Sequence, residues 1–140
     1  MHKHTALLIL ALASAPALAT DVTMYKSPTC GCCKEWAVHL KANGFNVVSK
    51  DVANIMPYKG MNGVPAELGS CHTALVEGYT IEGHVPAADI RRLLKERPPV
   101  RGLAVPGMPA SAPGMDSGTG ERYQTISFDR DGRTAIYAQH

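Results

Sequence analysis

The chain has 140 residues, 45% of them hydrophobic and 19% charged, a balance that places it among globular proteins and makes one domain the expectation. With 14 Lys and Arg against 12 Asp and Glu, the net charge of +2 is too small and too dispersed for a protein that grips nucleic acid or a membrane surface by electrostatics. The 13 Gly and 10 Pro crowd mainly into the second half, so loops should take up much of that half, and 4 cysteines remain to be explained.

Met1-His2-Lys3-His4 is a short basic start, Ala6 to Ala13 is an unbroken apolar run, and Ala17-Leu18-Ala19 has the small-x-small pattern that signal peptidase reads. Residues 1–19 are therefore predicted to be a signal peptide cleaved after Ala19, with residues 20–140 as the mature domain. A buried N-terminal helix would not require those three regions in that order. No later apolar stretch approaches the roughly 18 residues that span a bilayer, and no cysteine sits near the cleavage point, so no membrane or lipid anchor is expected.

Val22 to Lys26 reads as a strand, broken by Ser27-Pro28-Thr29. Trp36, Ala37 and Leu40 follow Cys33 at i+3, i+4 and i+7, one face of a helix that Asn43-Gly44 stops. Phe45 to Val52 is a second strand. Ala53 to Ser70 is punctuated by Met56-Pro57, Gly60, Gly63 and Val64-Pro65 and leaves room for one short helix. Thr73 to Val76 and Tyr79 to Glu82 form a hairpin about Glu77-Gly78. Pro86 opens a helix with Ile90, Leu93, Leu94 and Arg97 on one face, and Pro98-Pro99 closes it. A Gly/Pro/Met-rich loop runs from Arg101 to Gly120, and Tyr123 to Phe128 pairs with Thr134 to Tyr137 in a second hairpin.

Strand, helix, strand, hairpin, helix is the order of a thioredoxin-like α/β core, with the C-terminal hairpin as an addition. The cysteines fall where that fold keeps its redox pair, at the start of the first helix. Cys30-Gly31-Cys32-Cys33 contains a C-x-x-C, yet Cys32 occupies one of the x positions.

After export all four cysteines would meet an oxidising compartment, which makes two disulfides the plain expectation. Three of the four lie within four residues, however, and a spacing that tight suits chemistry better than stapling. A helix N-terminus carries about half a positive charge and unpaired N–H groups, which favour thiolate over thiol. With Cys30 as the capping residue and Cys33 in the first turn, their sulfurs approach, while Cys32 points about 100° away around the helix. Crowded thiolates repel, and either a soft cation or oxidation of one pair relieves the repulsion. Sulfur-rich sites with nearby Met favour Cu(I).

Pro106-Gly107-Met108 and Pro113-Gly114-Met115 repeat one tripeptide within the loop and could bring two thioethers to such a site, although exposed loop methionines are common. Cys71, before a predicted strand, could complete a four-sulfur site, resolve a mixed disulfide or be a buried thiol. His72 and His84 read as ligands, as partners of ligands or as surface histidines, and spacing alone favours the surface role. His39 is expected to be solvated, and the terminal His140 to be mobile.

Ser27-Pro28-Thr29-Cys30-Gly31-Cys32-Cys33, Gly69-Ser70-Cys71-His72-Thr73, Glu82-Gly83-His84-Val85-Pro86 and Gly102-Leu103-Ala104-Val105-Pro106-Gly107-Met108-Pro109 closely resemble, in that order, the CopG-type periplasmic copper-resistance proteins. The resemblance runs from about Val22 to Met115. It implies a thioredoxin-like fold, a periplasmic copper-handling role and a thiolate-bridged site holding more than one Cu(I) ion. Carried over residue by residue, the ligands would be Cys30, Cys32, Cys33 and Cys71, with His84, Met108 and Met115 as weaker candidates. One departure is Ala112, where Gly is expected before the second Pro-Gly-Met.

Two functions follow as expectations. The first is Cu(I) sequestration in a polynuclear thiolate site that also cycles copper between oxidation states, with a periplasmic chaperone, an efflux pump or a redox protein as partner. The second is thiol–disulfide exchange, in which Cys30 attacks a substrate disulfide and Cys33 resolves it. Structural zinc is a third class, and it would require a fold that collapses under chelation.

Overall fold

In the computed structural model, which describes residues 15–115 and 117–140, the chain is a mixed α/β domain built on one seven-stranded sheet. The basic start and the apolar run of the predicted signal peptide lie outside the described residues. Among the described residues, no helix is long and apolar enough to cross a membrane.

Strand β1 (Thr20–Lys26) buries Val22, Met24 and Lys26, the alternate side chains that a strand presents to one face. Helix α1 (Gly31–Ala42) buries Cys33, Trp36, Ala37 and Leu40, the stripe expected from their spacing. It ends at Asn43 and at Gly44, whose φ of +85° is the left-handed turn that glycine adopts without strain. Strand β2 (Phe45–Asp51) then runs parallel to β1, with α1 as the crossover.

The punctuated stretch contains a six-residue helix, α2 (Met56–Met61), and a 3-10 turn at Ala66–Leu68. Strands β3 (Thr73–Val76) and β4 (Tyr79–Glu82) form the predicted hairpin. Glu77 and Gly78 both have positive φ, +44° and +87°, as the favoured two-residue hairpin turn demands. Helix α3 (Ala87–Glu96) follows Pro86, and Arg97 is its left-handed C-cap rather than part of its apolar face.

Three further strands complete the order β2-β1-β3-β4-β5-β6-β7: β5 (Gly102–Ala104), β6 (Gln124–Phe128) and β7 (Thr134–Gln139). Strand β5 lies inside the segment expected to be loop. It pairs parallel to β4 and antiparallel to β6, and so joins the C-terminal hairpin to the core sheet. A Cβ on Gly102 would stand 1.9 Å from the Thr80 carbonyl oxygen, so only glycine permits this pairing.

The core lies between the sheet and the helices, with Trp36, Leu40, Ile81, Ile90, Leu93 and Leu103 fully buried. Pairing Tyr25 with Thr73, and Thr73 with Glu82, brings the end of β1, the start of β3 and the end of β4 to one end of the sheet.

Candidate metal site

That end of the sheet carries the chemistry. The chain leaves β1 through a turn closed by the Cys30 N–H on the Ser27 carbonyl at 3.1 Å, which sets Cys30 as the N-cap of α1. The Cys30 sulfur accepts the Cys33 N–H at 3.3 Å, satisfying one of the open donors of the first turn. The same turn brings the two side chains together, and Cys30 and Cys33 are joined as a disulfide.

Cys32 and Cys71 are free thiols, both half-buried. The Cys32 sulfur is 3.6 Å from that of Cys30 and 3.7 Å from that of Cys71, and the Cys33 and Cys71 sulfurs are 3.6 Å apart. All four sulfurs lie within 4.8 Å of one another, a cluster that could hold a metal ion. Of the two ways to relieve crowded thiolates, this state shows oxidation of one pair.

Cys71 also joins a second group. His72 Nδ1 is 3.3 Å from its sulfur and His84 Nε2 is 3.1 Å from it. Both imidazoles are fully buried, so the surface role that spacing favoured is wrong for each. His84 Nδ1 lies 2.7 Å from the Pro113 carbonyl oxygen, which can only accept. Nδ1 therefore donates to that carbonyl, which leaves Nε2 as the ring nitrogen turned toward the Cys71 sulfur, the orientation a metal-binding imidazole needs.

Burial, and secondarily the nearby Cys32 sulfur, pushes the Cys71 thiol up to about 12. The helix-dipole argument for low-pKa sulfurs thus does not extend to Cys71, which lies on a different segment from α1. Burial, followed by His84 and Lys59, holds His72 well below 6.5, so its ring is neutral.

Beneath these side chains lies a charged pair with no counterpart in the sequence reading. The Glu82 carboxylate is fully buried and accepts from the Lys59 ammonium, from the Ser70 N–H at 2.8 Å and from the Thr73 hydroxyl at 2.6 Å. Burial pushes Glu82 up, while Lys59, Thr73 and Ser70 favour its charged form.

The Gly/Pro/Met-rich loop closes over the cluster at two points. The Ser70 hydroxyl donates to the Gly107 carbonyl at 2.6 Å, and the Gly107 N–H donates to the Gly69 carbonyl at 3.2 Å. Gly114 lies directly on the first turns of α1, where a Cβ would be 2.6 Å from the Trp36 nitrogen and 3.1 Å from the Cys32 carbonyl oxygen. Met115 is half-buried against the same core cluster as Cys30, Cys32 and Cys71, whereas Met108 is 51% exposed.

His39 and His140 are not the free side chains expected. His39 Nε2 accepts the Ala87 N–H at 3.0 Å, and His140 Nε2 lies 2.9 Å from the Asp89 carboxylate. A cavity of ≈1100 Å³ lined by Pro109, Tyr123, Gln124 and His140 opens between the loop and the C-terminal hairpin, and no cysteine lines it.

A family model described as a protein of unknown function, DUF411, matches residues 68–115, the stretch that holds Cys71, His72, His84, Met108 and Met115. No curated protein matches the chain at a significant level. Two solved structures do, both of a copper resistance protein CopG, in forms 2 and 1. Each is 42% identical and covers 87% of this chain and 98% of its own, with TM-scores of 0.83 and 0.82. With that identity spanning the cysteine turn, the Cys71-His72 segment and the loop together, the chain belongs to the CopG family of copper-resistance proteins.

Proposed function

We propose that this chain is an exported copper-resistance protein that sequesters Cu(I) on the thiolates of Cys30, Cys32, Cys33 and Cys71. The observation that carries the reading is the convergence of four sulfurs within 4.8 Å in a protein whose relatives are named for copper resistance. Soft thiolates select Cu(I), and each can bridge two ions, so four sulfurs suit a polynuclear site holding more than one ion per chain. His84 and Met115 are the next donors, His84 by the ring nitrogen turned toward Cys71 and Met115 by its half-buried place against the same hydrophobic core as Cys30, Cys32 and Cys71. Met108, exposed on the rim, fits capture of incoming metal better than a place in the cage. The thioredoxin-like order of elements, a periplasmic location and removal of residues 1–19 belong to the same reading.

The Cys30–Cys33 disulfide supplies a redox element. Reducing it takes up two electrons and two protons and yields two thiols, so two Cu(I) ions giving up one electron each would balance it. That is the chemistry a protein cycling copper between oxidation states requires. A copper chaperone, an efflux pump or an electron-transfer protein would be the partner.

The test is purification of the exported chain without oxygen from copper-supplemented cells, with copper, zinc and free thiols measured per chain. More than one copper per chain, lost on Cys32→Ser or Cys71→Ser, is the expected result. Little metal together with an oxidised Cys30–Cys33 pair would overturn it.

The same disulfide favours one alternative, thiol–disulfide exchange with Cys30 attacking and Cys33 resolving. Under that reading Cys32→Ser preserves or improves insulin-disulfide reduction. Under the copper reading the same substitution lowers metal stoichiometry.

A further inference from the structure

The buried Lys59–Glu82 pair is a costly feature of this small domain, because two charges must leave water to form it. A buried ion pair is weak support for stability, since apolar side chains of similar volume often serve as well. What distinguishes this one is the set of groups it touches.

Glu82 is the last residue of β4, two positions before His84. Its Oε1 accepts the Ser70 N–H on one side of Cys71-His72, and its Oε2 accepts the Thr73 hydroxyl on the other. One carboxylate therefore grips both flanks of the segment bearing Cys71 and His72, and does so from the strand that leads into His84. Lys59 closes the arrangement by donating to Glu82 and, at 3.2 Å, to the Thr73 oxygen. The lysine is itself held in place, because α2 is anchored by Tyr58, whose ring stacks on Tyr25 of β1 at 4.5 Å.

We propose that Glu82, anchored by Lys59, is the positioning residue that fixes Cys71, His72 and His84 relative to one another as metal donors, without itself touching the metal. This rests on the copper-binding reading above. Donor atoms on two separate segments can meet one ion only if both segments are held in a single relation, and a carboxylate with three directed contacts supplies that restraint. Groups that orient ligands from behind typically govern metal affinity by about 10–100-fold.

Glu82→Gln keeps the shape of the side chain but turns one acceptor into a donor. The amide nitrogen must then confront either the Thr73 hydroxyl or the Ser70 and Lys59 donors. Thr73→Val is the milder companion, removing a single arm of the grip, and it serves if Glu82→Gln folds poorly. The core change Ile90→Val in α3 is the control for loss of stability alone.

The reduced proteins are to be titrated anaerobically with Cu(I) against a colorimetric chelator, and separately with Co(II), whose sulfur-to-metal charge-transfer band reports the coordinating thiolates. Expected is a fall of about 10–100-fold in Cu(I) affinity for Glu82→Gln, a smaller fall for Thr73→Val, and an altered cobalt spectrum in both. Ile90→Val should lower the melting temperature and leave affinity and spectrum as in the wild type. Wild-type affinity and spectrum in both Glu82→Gln and Thr73→Val would overturn the inference while leaving the copper reading intact. A wild-type chain that takes up cobalt with these signatures but no copper would overturn the copper reading instead.

Discussion

The Nε2 of His84 stands 3.1 Å from the sulfur of Cys71, with the other ring nitrogen committed to the Pro113 carbonyl at 2.7 Å. Cys71, one of the two free thiols, is thus held in hydrogen-bond contact with that imidazole. The thiol is pushed up to about 12, so a metal ion entering here must eject a proton.

Metal affinity should therefore climb with pH throughout the neutral and mildly alkaline range, by about tenfold per pH unit for each proton displaced. Cu(I) competition titrations at a series of pH values check this, with Cys71→Ser as the comparison. The variant should lose one proton from the dependence. Identical slopes in the two proteins would exclude Cys71 from the ligand set.

Gly114 gives a second prediction. Its φ is +88°, and a Cβ there would meet the Trp36 nitrogen at 2.6 Å and the Trp36 Cα at 2.9 Å, both backbone atoms of a buried helix. Gly114→Ala should cost about 1–3 kcal/mol, since neither partner can give way. The loop should also lift, carrying the Pro113 carbonyl from His84 and weakening metal binding. Gly118 has a φ of +68° with nothing within 4 Å, so Gly118→Ala separates backbone strain from contact. It should leave metal affinity unchanged. Thermal melts and Cu(I) titration of both variants decide the matter.

Much of this architecture was legible locally because local rules wrote it. Glu77-Gly78 announces a tight hairpin, and the Cys33, Trp36, Ala37, Leu40 spacing announces the buried face of α1. The gathering of Cys71 with Cys32 is different. It depends on antiparallel pairing of Tyr25 with Thr73, 48 positions apart in the chain, which no local pattern encodes. Strand β5 has no local signature because three residues, one of them Gly102, carry no period to read. Lys59 and Glu82 each look like solvated charges until the fold brings them together, and a buried charge is intelligible only through its partner. His39 and His140 depart from the solvated and mobile roles expected of them for the same reason, since each finds its partner on a distant element.

Protonation of His72 gives a third prediction. Burial, then His84 and Lys59, holds this ring well below 6.5, so below that pH the unfolded chain takes up a proton that the native state refuses. Stability from this group is fully present above pH 6.5 and is lost as the pH falls toward the depressed native value, by about 1.4 kcal/mol per pH unit for one proton. Glu82 works in the opposite sense: raised by burial, it contributes stability that is present below 4.5 and lost as the pH rises through its native value. Comparison of wild type with His72→Phe isolates the histidine, because Glu82 is common to both. Urea unfolding of the metal-free proteins below pH 6.5 should show the wild type losing stability more steeply as the medium is acidified. Parallel profiles would place the acid sensitivity elsewhere.

His39 offers the last test, one that separates scaffold from site. Helix α3 begins after Pro86, which has no side chain to cap the open N–H groups of the first turn. The imidazole of His39, reaching from α1, takes that part by accepting the Ala87 N–H at 3.0 Å. A side-chain acceptor at a helix start is worth about 1 kcal/mol, and here it also ties α1 to α3 across the core. His39→Ala should lower unfolding free energy by about that amount, while His39→Gln, whose amide oxygen can still accept, should recover part of it. Neither substitution touches a sulfur, so copper per chain should stay at the wild-type value in both. Loss of copper in His39→Ala with stability unchanged would move His39 from the scaffold into the metal site.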